Sequence, residues 1–229
     1  MPDALRVGVV LSALFALVAL IVLVVRTLSF GRKPFYSKEA GSRASGIAYL
    51  FGRAMLPWEK ESARRHPLTY LAGVVYHAGI FAALVFLFCS VFRLIPPRAV
   101  LLILQVALAA GGACGASLLL KRVFSRTLRK LSCPDDYAAN AIVTLFVIVG
   151  AVFAWHSAGW GSQSSATVLR SELSPGLLRV ELLFYAVSIL TFLYVPAGKI
   201  RHCFFFFYSR ALLGVFFGRR AALPAWRHR

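Results

Sequence analysis

Acidic residues are scarce in this chain: eight Asp and Glu stand against 26 Lys and Arg, for a formal net charge of +18 over 229 residues. Cysteine is equally thin. Cys89, Cys114, Cys133 and Cys203 lie far apart, with no C-x-x-C pair for zinc or an iron–sulfur cluster and no C-x-x-C-H site for covalent c-type haem. Cys89 and Cys114 fall inside apolar runs, where a thiol packs as a small hydrophobe. Large polar stretches that could fold as a soluble domain are missing too, and no internal repeat is visible. The composition is instead 59% hydrophobic, with a mean hydropathy of +0.75.

The apolar residues come as long blocks rather than as one stripe of a periodic helix. Val7–Val25 has no charged residue, and four further blocks follow, about 69–92, 99–120, 138–156 and 177–197. At ~1.5 Å per residue each can cross a hydrocarbon core of ~30 Å. The blocks lack the alternation of barrel strands, and in lipid only helices and closed barrels satisfy their own backbone polar groups. The sequence therefore predicts an all-α membrane protein of five transmembrane helices, about 7–25, 69–92, 99–120, 138–156 and 177–207, forming one membrane domain over 1–229. The first block is not read as a removable signal peptide: its apolar run is too long, "MPDALR" is barely basic, and "RTLSFGRK" offers no small-residue cleavage site.

The positive charge is sorted by side. Segment 26–68, loop 121–136 and the tail after Gly198 together carry 21 Lys and Arg, and the opposite side carries five: Arg6, Arg93, Arg98, Arg170 and Arg179. The positive-inside rule then puts the N-terminus outside and the C-terminus in the cytoplasm of a multi-pass membrane protein. Topology and attraction to anionic membrane lipid account for the charge, so no nucleic-acid partner is implied. Segment 26–68 is the cytoplasmic connector. Its "GIAYLFGRAMLPWEKESARRHP" suits either an interfacial helix or a docking surface for a soluble partner. The tail "FFFFYSRALLGVFFGRR", aromatic with interleaved arginine, suits the boundary of headgroups and protein.

Function in a membrane protein shows in the polar residues kept inside its helices. Here they are His77, Gln105, Asn140 and Glu181, with His156 and His202 at helix boundaries. Gln105 and Asn140 are simplest as interhelical hydrogen-bonding groups. His77 and His202 both fall in the cytoplasmic half. Two neutral imidazoles from different helices are what a six-coordinate haem b takes, and Lys199 and Arg201 beside His202 could neutralise its propionates. The alternative for the same residues is a hydrogen bond from His77 to a neighbouring helix and a surface cation at His202. Counted from the outer helix ends, His77 is ~22 Å and His202 ~37 Å deep, so the pairing needs a kink, for which Pro196 and Gly198 are placed. Glu181, near the outer end of the last block, is either a proton acceptor or the partner of Arg179 or Arg170. His156 can hydrogen-bond a loop. His66 and His228 are read as solvated.

The stretches "YHAGI", "LLLKRVFSRTLRKLSCPDDYAANAIV" and "VPAGKIRHCFFFF", in a five-helix chain with its N-terminus outside, resemble the gamma subunit (cytochrome b) of respiratory nitrate reductase over essentially the whole length. The tail is closer in character to the membrane cytochromes b of sulfate-reducer and sulfur-bacterial complexes: the sulfite-reductase-associated, high-molecular-weight cytochrome c and tetrahaem cytochrome c complexes. The resemblance implies a haem b subunit that passes electrons between membrane quinone, menaquinone or another, and a cytoplasmic iron–sulfur subunit, with further membrane and periplasmic multihaem cytochrome subunits as partners. It implies His77 and His202 as axial ligands of the haem iron, and His156 and Glu181 as candidates for quinone or proton chemistry. The family's second histidine pair falls on Leu87 and Phe184, which cannot ligate iron, so one haem is expected. A structural anchor without a cofactor is the second reading. A transporter subunit is the third, weakened by the missing inverted repeat and the few intramembrane charges.

Overall fold

The computed structural model describes residues 2–31, 38–157 and 175–222, and among these residues every regular element is helical. In chain order these are α1 (Pro2–Ser29), α2 (Arg43–Phe51), α3 (Glu61–Arg65), α4 (Pro67–Val91), α5 (Arg98–Phe124), α6 (Arg126–Leu131), α7 (Pro134–His156), α8 (Pro175–Tyr194) and α9 (His202–Arg219). Short 3₁₀ turns stand at Arg53–Met55, Pro57–Glu59 and Lys199–Arg201. Six helices (α1, α4, α5, α7, α8, and α9 with the 3₁₀ turn before it) are long and apolar enough to cross a membrane. Large apolar side chains such as Leu11, Val18, Phe81, Ile103 and Trp155 cover their exposed surfaces, as in helices surrounded by lipid rather than water.

Where one last helix over 177–207 is expected, two stand. α8 stops at Tyr194 and α9 starts at His202. Pro196 has no N–H to continue the ladder, and it disfavours helical geometry in the residue before it. Gly198 then folds back onto α8, so close that a Cβ there would lie 2.3 Å from the Tyr194 ring. The expected kink is a full break. The expected connector 26–68 contains short helices: Ser42 caps α2 by accepting from the Ser45 N–H, and α3 is a single turn.

The chain divides into two units. One takes Met1–Leu17 and Leu71–Ile200, the other Val18–Tyr70 and Arg201–Arg229.

In the first unit the buried stripe of α4 (Tyr76, Gly79, Ala82, Ala83, Phe86, Leu87 and Ser90) follows helical spacing. It meets α5 where two glycines lie back to back: a Cβ on Gly79 would stand 2.6 Å from the Gly111 Cα. Gly115 gives room for the Tyr76 ring, whose hydroxyl donates to Thr144 Oγ1 at 2.9 Å, and Thr144 in turn donates to Asn140 Oδ1 at 2.9 Å. Gln105 Nε2 donates to the Ala154 carbonyl at 2.7 Å, joining α5 to α7. The centre is aromatic. Phe184 stacks on Phe146 at 5.5 Å between ring centroids and packs tilted against Phe86 and Phe153, with Gly150 beneath it.

In the second unit α2 and α9 pack side by side. Gly46 meets the backbone of Gly214 and Gly218, and Arg210 Nη1 donates to the Leu50 carbonyl at 2.7 Å.

At the Gly79–Gly111 crossing the backbones of α4 and α5 are in direct contact. Gly111→Leu is expected to destabilise the purified protein by about 1–3 kcal/mol through overpacking, read as a lower melting temperature in detergent. Gly176→Ala, where a Cβ meets nothing within 4 Å, is expected to leave it unchanged or slightly higher.

Candidate functional sites in the two units

His77 stands one helical position beyond the buried Tyr76, on a part of α4 that the core of its unit leaves exposed. Its Nδ1 lies 2.7 Å from the carbonyl oxygen of Gly73, one turn earlier. A carbonyl only accepts, so Nδ1 carries the proton and the neutral ring's lone pair is on Nε2. This is the arrangement that second-shell hydrogen bonds impose on ligating histidines. At Gly73 a Cβ would meet nothing within 4 Å, so the helix face one turn from the imidazole has open space beside it.

His202 opens α9 in the second unit, exposed and next to the exposed Arg201. Lys199 belongs to the first unit. Its ammonium pairs with Asp136 at 2.8 Å and its backbone N–H donates to Asp135 Oδ2 at 2.9 Å. The run "CPDD" makes that junction. Pro134 starts α7, Asp136 reaches back to the Cys133 N–H at 2.9 Å in a capping box, and the same carboxylate pairs with Arg122 at 3.4 Å. Asp135 also takes the Tyr194 hydroxyl. Two adjacent carboxylates thereby tie the end of α5, the start of α7 and the turn after α8 together, three residues ahead of His202.

Leu87 and Phe184, the positions where the resembled family has its second pair of ligands, are 3% and 0% exposed. Both belong to the apolar core, and Phe184 is at the centre of its aromatic cluster. Side chains fill that place.

Glu181 is 4% exposed and is held by a network that sequence reasoning did not assemble. Arg6 Nη2 donates to Glu181 Oε1 at 2.8 Å, and Arg6 Nε donates to the Tyr185 hydroxyl at 3.1 Å. Tyr185 donates its one proton to Glu181 Oε1 at 3.0 Å, so at 2.7 Å Ser90 must be the donor to Tyr185. Asp3 extends the network toward solvent by pairing with Arg6 at 3.3 Å and with Arg93 at 2.5 Å. Arg93 itself sits at φ 55°, the left-handed residue that closes α4, with the Leu94 N–H donating to the Cys89 carbonyl. The partner of Glu181 is therefore Arg6. Arg179, the expected alternative, is one of its own helix neighbours, and Arg170 lies outside the described residues, as does His228. The sequence signal for Arg6 was its position as a lone cation ahead of an uncharged helix, but 175 residues separate it from Glu181. His156 ends α7, exposed.

Among the described residues no group of three or more His, Cys, Asp and Glu side chains is arranged to hold a bare metal ion.

With side-chain exposures of 18% and 6%, Arg6 and Glu181 form a largely buried pair. Removing only the cation strands a carboxylate, so Arg6→Met is expected to cost about 3–5 kcal/mol, measured by thermal or denaturant unfolding of the purified protein. The double variant Arg6→Met/Glu181→Met is expected to recover most of that loss; a double variant no more stable than Arg6→Met contradicts the pairing. No protein-family model, curated protein or solved structure matches the chain.

Proposed function

We propose that the chain is the haem b subunit of a respiratory complex in a bacterial inner membrane, exchanging electrons between a quinone pool and a cytoplasmic iron–sulfur subunit. The observation that carries this reading is the state of His77. A histidine within a membrane-length helix has Nδ1 committed to the Gly73 carbonyl, Nε2 left with its lone pair, and open space at the glycine one turn away. An imidazole kept at such a place calls for a partner, and a tautomer fixed in this way suits an iron ligand. The resemblance of "YHAGI" and "VPAGKIRHCFFFF" to the gamma subunit of respiratory nitrate reductase supplies His202 as the second ligand. These donors fit a non-covalent haem b, which when bound supplies one-electron transfer with no coordination position left for substrate.

The chain's own residues have separate tasks. His77 and His202 hold the iron, and Arg201 offers a cation to the propionates. Lys199 is already engaged by Asp136 and is read as fixing the turn before His202 rather than as a propionate ligand. Five crossings (α1, α4, α5, α7 and α8) with the N-terminus outside follow the sidedness of the Lys and Arg residues. In that orientation His156, exposed at the outer end of α7, is the polar group available to a quinone. Glu181, committed to Arg6 and Tyr185, is read as a structural group. Periplasmic multihaem and further membrane subunits would complete the complex.

A reduced-minus-oxidised visible spectrum of the purified protein is expected to show a b-type α-band. The band is expected to vanish in His77→Ala and in His202→Ala and to persist in His156→Ala. A featureless spectrum of the native protein, from cells supplied with haem, overturns the proposal.

A further inference from the structure

α9 is the least apolar of the six helices long enough to cross a membrane, and its neighbour in the second unit decides where it can lie. α2 runs antiparallel to it. Gly41 and Gly46 face Gly218 and Gly214, Leu50 takes the hydrogen bond of Arg210, and the Phe51 ring lies 6.3 Å from those of Phe206 and Phe207. A Cβ on Gly46 would stand 2.0 Å from the Gly214 carbonyl oxygen, and one on Gly218 would stand 2.3 Å from that of Ser42. Backbones this close share one depth in a membrane.

α2 has nine residues and is bounded by charge at both ends. Ahead of it Glu39 pairs with Arg43 and Arg219. Behind it Arg53 pairs with Glu59 at 2.7 Å, followed by Lys60 and Glu61. Arg43 to Arg53 is ~15 Å along a helix, half of a ~30 Å hydrocarbon core. An α2–α9 pair set across the core must therefore submerge one charged end of α2. It would also carry Arg210, near the middle of α9, to the bilayer centre, where an arginine is costly.

We infer that α9 is not a sixth crossing: α2 and α9 lie together in the plane of the membrane surface and bind anionic phospholipid. The occupant follows from what the pair presents. Phe204, Leu212 and Leu213 are exposed on α9, and Trp58, the residue type favoured at headgroup depth, is 61% exposed in the turn after α2. Arg43, paired with Glu39, and Arg220, over the Phe216 ring, are exposed at the Gly218 end of the pair and offer positive charge to an anionic headgroup layer. This inference concerns how the chain meets lipid and stands whether or not the protein carries haem.

Two measurements on the full-length chain test it. Epitope tags at the N- and C-termini, probed in sealed and permeabilised spheroplasts, are expected on opposite faces; both tags on one face makes α9 a crossing and overturns the inference. A spin label at Leu213→Cys, with the four native cysteines replaced by serine, is expected at headgroup-to-upper-acyl depth in nanodiscs containing anionic phosphatidylglycerol, and shallower in purely zwitterionic ones. A label at the bilayer centre, a label exposed only to water, or the same depth in both lipids contradicts it. The tags need no substitution, so the sidedness result stands even where the cysteine-free chain folds poorly.

Discussion

Hydrocarbon gives a polar group no water to bond, and most of this structure can be derived from that constraint. Serines and threonines inside the long helices donate back to carbonyls of their own turn, as Ser12 does to Val9, Ser188 to Phe184 and Thr191 to Val187. Gln105 spends its amide on the Ala154 carbonyl of a neighbouring helix. Glu181 survives burial because Arg6 supplies the opposite charge while Tyr185 donates to the same oxygen. That network fixes the first turns of α1 against α8, and Ser90 brings in the end of α4. Set among these satisfied groups, His77 differs. One ring nitrogen is committed within its own helix, and the other has the lone pair that an iron ligand needs.

Packing in the first unit closes one place to a large cofactor. Around Phe184 the interior is closed by Phe86, Phe146 and Phe153, with glycine at position 150 letting the rings approach the backbone. A macrocycle there would have to displace side chains that are among the most buried in the protein. Around His77 the helix face is exposed and Gly73 has open space.

Long apolar blocks made the membrane-length helices readable from sequence, because a helix able to bury its backbone in lipid needs nearly uninterrupted hydrophobicity over its whole length. Pro196 and Gly198 announced an irregularity between α8 and α9, but not its size. The full break also needs Asp135 to take the Lys199 N–H and the Tyr194 hydroxyl, and those contacts lie 64 and 59 residues away along the chain. The same distance problem hid Arg6 as the partner of Glu181, since a single long-range ion pair leaves no periodicity and the nearer cations Arg179 and Arg170 were the natural expectation. The α2–α9 pairing was hidden for another reason. Its contacts are made by glycine backbone, and Gly41, Gly46, Gly214 and Gly218 are unremarkable until the helices are set side by side.

The proposed function depends on haem b bound through a single histidine pair. A pyridine haemochrome assay set against protein concentration on the purified chain tests it most directly. A b-type haemochrome at about one haem per chain is the expected result. A ratio near zero leaves a membrane anchor without a redox centre, and a ratio near two contradicts the reading of Leu87 and Phe184 as the filled place of a missing site.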